Sequence, residues 1–385
     1  MKILVLPSWY PDKKKPLNGI FFKEQAEALV KANVEVVVLS IAVKSFREFD
    51  KENNINKLEF SEEEGVKVYR YTTYNYFPKL KELYFKYYSM VMKKTIKKVI
   101  EKEGNPDLIH IHSALDAGIA YVKSKINIPY VITEHSTKYS RGMVDKVEEK
   151  YLNMLFQKAS KVMVVGNGLK KELTKYISND KIKVIYNPVV MPSYEIEEDI
   201  NKSKFRFFSL GFLTKKKGMD ALIEAFKTNK EKFKDVELFI GGSGEEFNNL
   251  KKLIDDYGLN ENIFLLGSLN REEVAFNMKN CDCFVLPSRF ETFGIVYVEA
   301  MYYGKPVIAT RTGGPDTFVN EKCGVLVDVD NKKQLIDVME HIVNNYDNYD
   351  SVEIKKYCEE NFSESIVMEE LKRVYKEVVG EVYAT

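Results

Sequence analysis

Two carboxylates, Glu291 and Glu299, bracket the segment ETFGIVYVE between an apolar run, CDCFVLP from Cys281 to Pro287, and residues with helical apolar spacing. The run reads as a buried strand, and Ile295, Val296, Val298, Ala300 and Met301 after Gly294 read as the start of a buried helix. Glu291 then lies in a strand-to-helix loop and Glu299 one to two turns into the helix, on the rim where open parallel sheets bind ligands. The amides near Gly294 to Val296 stand at the positive end of the helix dipole and form a ready anion site. Such a set suits a ligand that joins hydroxyl groups to a diphosphate, with one carboxylate on sugar hydroxyls, the other on a ribose, and the amides on the anion. A solvated loop acid followed by an acid on a polar helix face satisfies the same spacing, so the pair alone decides nothing.

Other residue types with chemistry are scattered along the chain. His135 closes the apolar run PYVITEH, at the carboxyl edge of a strand, where either a structural hydrogen bond or a ligand contact is consistent with it. His110 and His112 share one face of the strand LIHIHS, but no third ligand has suitable spacing, so they read as structural or cleft-lining rather than as a metal site. Gly19, in the first strand-to-helix loop, permits close approach of a ligand to the backbone and equally suits a plain turn. GGSGEE after VELFIGG invites a dinucleotide reading, yet Phe247 stands where the third glycine of that fingerprint belongs.

The elements that must position these residues alternate strand and helix. In the first half KILVLPS, a helix from about Gly19 to Lys31, VEVVVLSI, VKVYRY, a long helix, LIHIHS, PYVITEH, KVMVVG and KIKVIYNP mark a parallel sheet wrapped by helices. MPSYEIEEDINKSK after Val190 has no periodicity and reads as a linker. The pattern restarts with FRFFSLG, a helix after Gly218, VELFIGG, NIFLLGS, CDCFVLPS, KPVIAT and CGVLVDV, which predicts a second doubly wound domain. A closing helix from Phe362 to about Tyr383, with Ile366, Met368, Leu371, Val374, Tyr375, Val378 and Val379 at helical spacing, is expected to pack back on the first domain. The predicted division is 1–190 and 191–362, with the helix at about 363–385 returning to the first.

A chain of 385 residues exceeds what one core usually holds. No segment approaches 18 uninterrupted apolar residues, which argues against a spanning helix. MKILVLPSWYP reads as a first strand, because Pro7 cuts an apolar run already too short for a secretory signal. The four cysteines lack C-x-x-C spacing and read as reduced core thiols, with Cys281 and Cys283 on one face of a strand. The net charge of +1 hides an asymmetry: 33 basic residues face 22 acidic ones through residue 190, and 25 face 35 thereafter. A basic front half calls for an anionic partner, either a membrane surface or a phosphorylated acceptor. Residues 79–102 concentrate this charge, with eight lysines against Glu82 and Glu101. Lys79, Lys86, Lys93 and Lys97 fall on one helical face, beside Leu83, Tyr84, Tyr87, Tyr88 and Met90, so the helix reads either as core-packed with a solvated face or as a dock on anionic lipid. No nucleic-acid motif accompanies it.

The motifs in combination resemble the retaining glycosyltransferases of family 4, over nearly the whole chain. The resemblance rests on Glu291 and Glu299 with seven residues between them, continued by AMYYGKPVIATRTGG, and on LGFLTKKKGMDALIEAF, GGSGEE, VIYNPV, TEHS, HIHS and WYP with NGIFFKEQAEAL. It implies the GT-B fold, two doubly wound, Rossmann-like α/β domains facing across a cleft, and a metal-independent enzyme with no cofactor. Residue by residue, it implies that Glu291 holds donor-sugar hydroxyls, Glu299 the ribose, and the amides around Gly294 and Ile295 the diphosphate. Lys217 would neutralise that diphosphate, His135 would touch the donor sugar or the incoming hydroxyl, and Leu269 would contact the base through backbone atoms. Phe212 stands where the family often has an arginine, so it is expected as packing or as a wall near the sugar or base.

The expected activity is transfer of a sugar from a nucleoside diphosphate sugar, UDP favoured over GDP, to a saccharide or lipid-linked acceptor in cell-surface polysaccharide or glycan synthesis. The expected location is cytoplasmic, peripheral on the inner face of the membrane. A sugar-nucleotide epimerase of similar fold and a non-catalytic carbohydrate-binding relative are the rival readings.

Overall fold

The computed structural model describes residues 1–16, 18–48, 55–190, 195–199 and 201–383; part of the expected linker, residues 191–194 and 200, lies outside them. The chain divides into two compact units: Met1–Val165 with Leu169–Pro188 and the chain from Glu364, and Val189–Ser363 with Gly166–Gly168.

The first unit holds an eight-stranded sheet ordered β3-β4-β2-β1-β5-β6-β7-β8. Its strands are β1 (Lys2–Pro7), β2 (Glu35–Lys44), β3 (Leu58–Glu63), β4 (Val66–Tyr74), β5 (Leu108–His112), β6 (Tyr130–Glu134), β7 (Lys161–Val164) and β8 (Ile182–Val184). Neighbours run parallel except β3 and β4. Those two form a hairpin because Glu64 and Gly65 both take left-handed backbone, with φ of 48° and 79°. The sequence pattern predicted β4 but not β3, whose LEFSEE is largely polar and occupies the sheet edge. The helices are α1 (Ile20–Lys31), α2 (Lys81–Glu103), α3 (Ile119–Ser124), α4 (Lys146–Lys158) and α5 (Asn167–Leu173).

The second unit holds a six-stranded, all-parallel sheet ordered β11-β10-β9-β12-β13-β14. Its strands are β9 (Phe205–Leu210), β10 (Val236–Gly241), β11 (Ile263–Gly267), β12 (Cys283–Leu286), β13 (Val307–Thr310) and β14 (Gly324–Val327). The accompanying helices are α6 (Met219–Thr228), α7 (Phe247–Tyr257), α8 (Arg271–Asn280), α9 (Ile295–Tyr302), α10 (Lys332–Asn344) and α11 (Ser351–Phe362). All four thiols are buried, but Cys281 caps the end of α8 rather than joining Cys283 in the strand.

Both sheets reverse strand order at their first strand, β1 between β2 and β5 and β9 between β10 and β12. The loops leaving the carboxyl ends there diverge to opposite faces and open a crevice in each unit.

The last helix, α12 (Glu364–Tyr383), completes the first core. Val367, Met368, Leu371, Val374, Tyr375 and Val378 are buried against Ile3, Val5, Phe22, Ala26 and Leu29. Tyr375 also bonds the Nδ1 of His110 at 2.7 Å. Replacing Leu371 by alanine should cost about 2–5 kcal/mol through lost burial and the cavity left behind. Tyr375→Phe, which strands a buried imidazole nitrogen, should cost about 1–3 kcal/mol; denaturant titration of both variants measures these losses.

Candidate active site

In the second unit the crevice lies between the loops after β9 and β12. Gly218 begins α6 with φ of 71°, and a Cβ there would stand 2.1 Å from the Pro287 carbonyl oxygen. Only glycine allows the two loops to approach so closely. Arg289 ties them further: its amide donates to the Lys216 carbonyl at 2.7 Å, and its guanidinium grips Asp220 with two bonds of 3.0 and 2.9 Å. These contacts place Lys217 beside Glu291, with Nζ donating to Oε2 at 2.5 Å. The pair is largely but not wholly shielded, at 15% and 12% side-chain exposure. The Lys217 stem runs over Gly211, where a Cβ would touch three of its carbons.

Glu291 Oε1 accepts from the Thr292 amide at 3.2 Å, which turns the carboxylate toward the amide end of α9. Gly294 caps that helix with φ of 87°, and a Cβ there would meet the Tyr297 ring at 2.5 Å. Tyr297 is buried and donates to the Leu286 carbonyl at 2.5 Å, so the ring locks the start of α9 to the end of β12. Ile295 and Val296, in the first turn, have amides with no intrahelical acceptor.

Glu299 lies on α9 as expected, and Arg271, at the first turn of α8, donates to its Oε1 at 3.2 Å. Burial raises the Glu299 carboxyl above its ordinary range, against the pull of the guanidinium. Leu269 covers Gly241, where a Cβ would fall 2.6 Å from its Cδ1; its side chain therefore has a packing duty. Phe212 is 58% exposed, which removes it from the core and corrects the expectation of packing. Arg289 and Arg271 escaped the sequence reading, because their partners Asp220 and Glu299 are far off in the chain and no spacing rule connects them.

The first unit gathers three histidines, His112 at the carboxyl end of β5, His135 just past that of β6, and His110 two positions before His112. His110 Nε2 meets the Thr133 hydroxyl at 2.7 Å, the His110 and His112 rings lie 4.0 Å apart, and His112 Nδ1 meets His135 Nε2 at 3.3 Å. Phe22 packs its ring on both His112 and His135. Both His110 nitrogens already have protein partners, and among the described residues no group of three His, Cys, Asp or Glu is arranged to hold a metal ion. Gly19, at φ 78°, caps α1 with Trp9 pressed on it; a Cβ would stand 2.7 Å from the indole Cδ1.

Glu134, quoted only as part of TEHS, is fully buried and accepts from the amides of Ala114, His135 and Ser136 and the Tyr139 hydroxyl, at 2.7–2.9 Å. It thereby aims the backbone at His135 and pins the loop after β5. In that loop Asp116 has φ 64° and ψ −86°, a strained conformation for a residue with a Cβ. Ser8 holds the same loop from β1, accepting from the Ala117 amide at 3.1 Å and facing the Ser113 carbonyl at 2.8 Å.

Burial holds the histidines neutral. His112 is pushed down to about 3, and His110 and His135 well below the ordinary 6.5. The unfolded chain therefore binds more protons than the folded one below about pH 6.5, and stability falls with falling pH by up to about 1.4 kcal/mol per unit per histidine. Glu134, raised by burial, acts with the opposite sign above the carboxylate range. Calorimetry should show Tm dropping from pH 7 to 5, with a shallower slope in His112→Asn; an equal slope would count against neutral burial of this ring.

The chain matches two family models, Glycosyltransferase Family 4 over residues 19–191 and Glycosyl transferases group 1 over residues 191–361. An uncharacterized glycosyltransferase of Methanocaldococcus jannaschii is 32% identical over 293 residues, 73% of this chain and 78% of that one. The putative teichuronic acid biosynthesis glycosyltransferase TuaC of Bacillus subtilis is 25% identical over 85% of each chain. Among solved structures, sucrose-phosphate synthase of Thermosynechococcus elongatus superposes with a TM-score of 0.77 at 17% identity, over 99% of this chain and 100% of that one. Anabaena HepE, solved with UDP and glucose, does so with 0.73 at 21%, over 98% and 100%. With two Rossmann-like units and the Glu291–Glu299 loop matched in sequence, the chain belongs to the family 4, group 1 glycosyltransferases and has their GT-B fold.

Proposed function

We propose that this glycosyltransferase moves a sugar from a UDP-sugar to a hydroxyl of a saccharide or lipid-linked acceptor, with retention of configuration, in the synthesis of a cell-surface polysaccharide. The observation that carries the reading is the Lys217–Glu291 pair at the switch point of the second sheet, next to the amide end of α9. A cation, a carboxylate and free-facing helix amides are the three groups a sugar diphosphate requires. Names among the relatives favour polysaccharide synthesis, TuaC above all, and HepE with UDP favours a uridine nucleotide.

In this reading the diphosphate draws Lys217 away from Glu291 and lies against the amides of Gly294 and Ile295, while the released carboxylate accepts from sugar hydroxyls. Glu299 accepts from the ribose, with Arg271 holding the carboxylate in place. The Leu269 backbone meets the base, the Gly19 backbone approaches the ligand, and His135 meets the donor sugar or the incoming hydroxyl. The bond from the anomeric carbon to the diphosphate oxygen breaks, and its electron pair leaves with the diphosphate. The acceptor oxygen bonds to the same face of that carbon and passes its proton to a departing phosphate oxygen. Lys217 and the α9 amides stabilise the developing charge, which makes the chemistry independent of a metal or cofactor.

Nucleoside diphosphate release from a panel of UDP- and GDP-sugars, with and without saccharide acceptors, tests this. Turnover is expected with a UDP-sugar and an acceptor. Lys217→Met should lower kcat by about 10²–10³, Glu291→Gln should mainly reduce transfer, and Glu299→Ala should mainly raise the donor KM. Equal rates in all three variants, or an isomerised donor with no transfer, would defeat the proposal.

The proposal includes a peripheral position on the inner face of an anionic membrane, reached through α2. Among the described residues no helix is long and apolar enough to cross a membrane. The helix starts at Lys81, so Lys79 precedes it, and Tyr88 is buried and Tyr87 bonds Thr73; its aromatic residues face the protein rather than a bilayer. The outward face instead carries Lys86, Lys93, Lys94, Lys97 and Lys98 with exposed Leu83 and Met90.

A further inference from the structure

The outer helical layer of the first unit contains a hollow. α3 has 6 residues, whereas α2 and α4 on either side have 23 and 13, so the short helix leaves the layer open beyond its end at Ser124. The opening has a volume of about 1170 Å³. Lys86, Lys123, Lys125 and Lys158 stand in its wall. Lys123 is committed, with its ammonium 3.5 Å from Glu82 and over the Tyr151 ring at 4.0 Å. Lys86, Lys125 and Lys158 have no ion-pair partner among the described residues. Some ammonium groups elsewhere on this unit do, as Lys67 with Glu103 and Lys81 with Glu148.

Three uncompensated cations around one hollow leave a positive potential that a multiply charged anion satisfies best. Lys125 follows α3 and Lys158 ends α4, and they precede β6 and β7, so they belong to the amino ends of those strands. His112 and His135 stand at the carboxyl ends. The hollow is therefore a different place from the candidate active site.

The surroundings indicate what carries the anion. Met154 in the wall is 39% exposed, and Met90 and Leu83, 63% and 41% exposed, flank Lys86 on the outward face of α2. Tyr121, Tyr130 and Tyr151 line the hollow but are buried, so they offer no open ring for a nucleic-acid base to stack on. Exposed flexible apolar side chains beside lysines suit the interface of a bilayer.

We propose that this hollow, between α2, α3 and α4, is a binding site for the phosphomonoester headgroup of a membrane lipid, held by Lys86, Lys125 and Lys158 while the outer face of α2 lies on the bilayer. The proposal rests on the membrane-peripheral reading above and gives it a specific lipid. A phosphomonoester carries about −1.5 to −2 charges at pH 7, against one for a phosphodiester headgroup, and so matches three lysines better. The field of α2 by itself distinguishes lipids only by surface charge density.

The full-length protein is floated with phosphatidylcholine vesicles whose surface charge is matched using either phosphatidic acid or phosphatidylglycerol. Wild type should bind phosphatidic acid vesicles at least about fivefold more tightly, the effect of one well-placed lysine–phosphate contact. Lys125→Gln with Lys158→Gln should erase that preference and leave phosphatidylglycerol binding in place. Lys93→Gln with Lys97→Gln should weaken both. Equal binding of the two vesicle types by wild type overturns the headgroup site and leaves the membrane reading intact. Binding to neither vesicle defeats the membrane reading; the hollow is then tested with monomeric dihexanoyl phosphatidic acid by NMR titration, where shifts at Lys125 and Lys158 retain the site and their absence removes it.

Discussion

The geometry of the second unit's site depends on the approach of the loop after β9 to the loop after β12. A Cβ at Gly218 would overlap the Pro287 carbonyl, so the approach exists only because that residue is glycine with a left-handed backbone. The neighbours on each side inherit their places from it. Lys217 immediately precedes the glycine, and Glu291 follows the proline by four residues. Arg289 then fastens both loops through Lys216 and Asp220. A long flexible lysine is thus delivered to a carboxylate from another loop, at the point where the sheet itself opens.

The first unit reaches a comparable rigidity by a different route. Its crevice is organised by buried polar groups, with Glu134 satisfying three amides and a hydroxyl, and the histidines satisfying one another, Thr133 and Tyr375. Each would be expensive to bury without those partners. The link from Tyr375 means that the last helix both fills the core and orients a histidine two strand positions from His112. Loss of that helix would therefore disturb the polar cluster as well as the apolar packing.

Charge is divided between the units in a way that follows their surfaces. Paired lysines such as Lys81 and Lys67 stabilise local structure modestly. The row along α2 and the neighbouring Lys125 and Lys158 have no ion-pair partner among the described residues and leave positive charge on this face. Of the two readings of α2, the core-packed helix with a solvated face matches its aromatics: Phe85 and Tyr88 are buried, where they remove the most area from water.

The alternation of strands and helices, the restart after the linker, the closing helix and the Glu291–Glu299 loop could all be read from the sequence, because each depends on local apolar periodicity or a short motif. The edge strand β3 is too polar to show a pattern, whereas α10 carries buried Leu335, Met339 and Ile342 at the same helical spacing. Residue types at Lys217, Glu291, Glu299 and His135 are those a nucleotide-sugar ligand would call for. Tertiary structure alone decided that Lys217 meets Glu291, that Arg271 meets Glu299, and that His135 completes a cluster with His110 and His112. Spacing along a chain encodes which face a side chain takes; contact between residues 74 or 28 apart is set by strand order and loop approach, which only the folded sheet supplies.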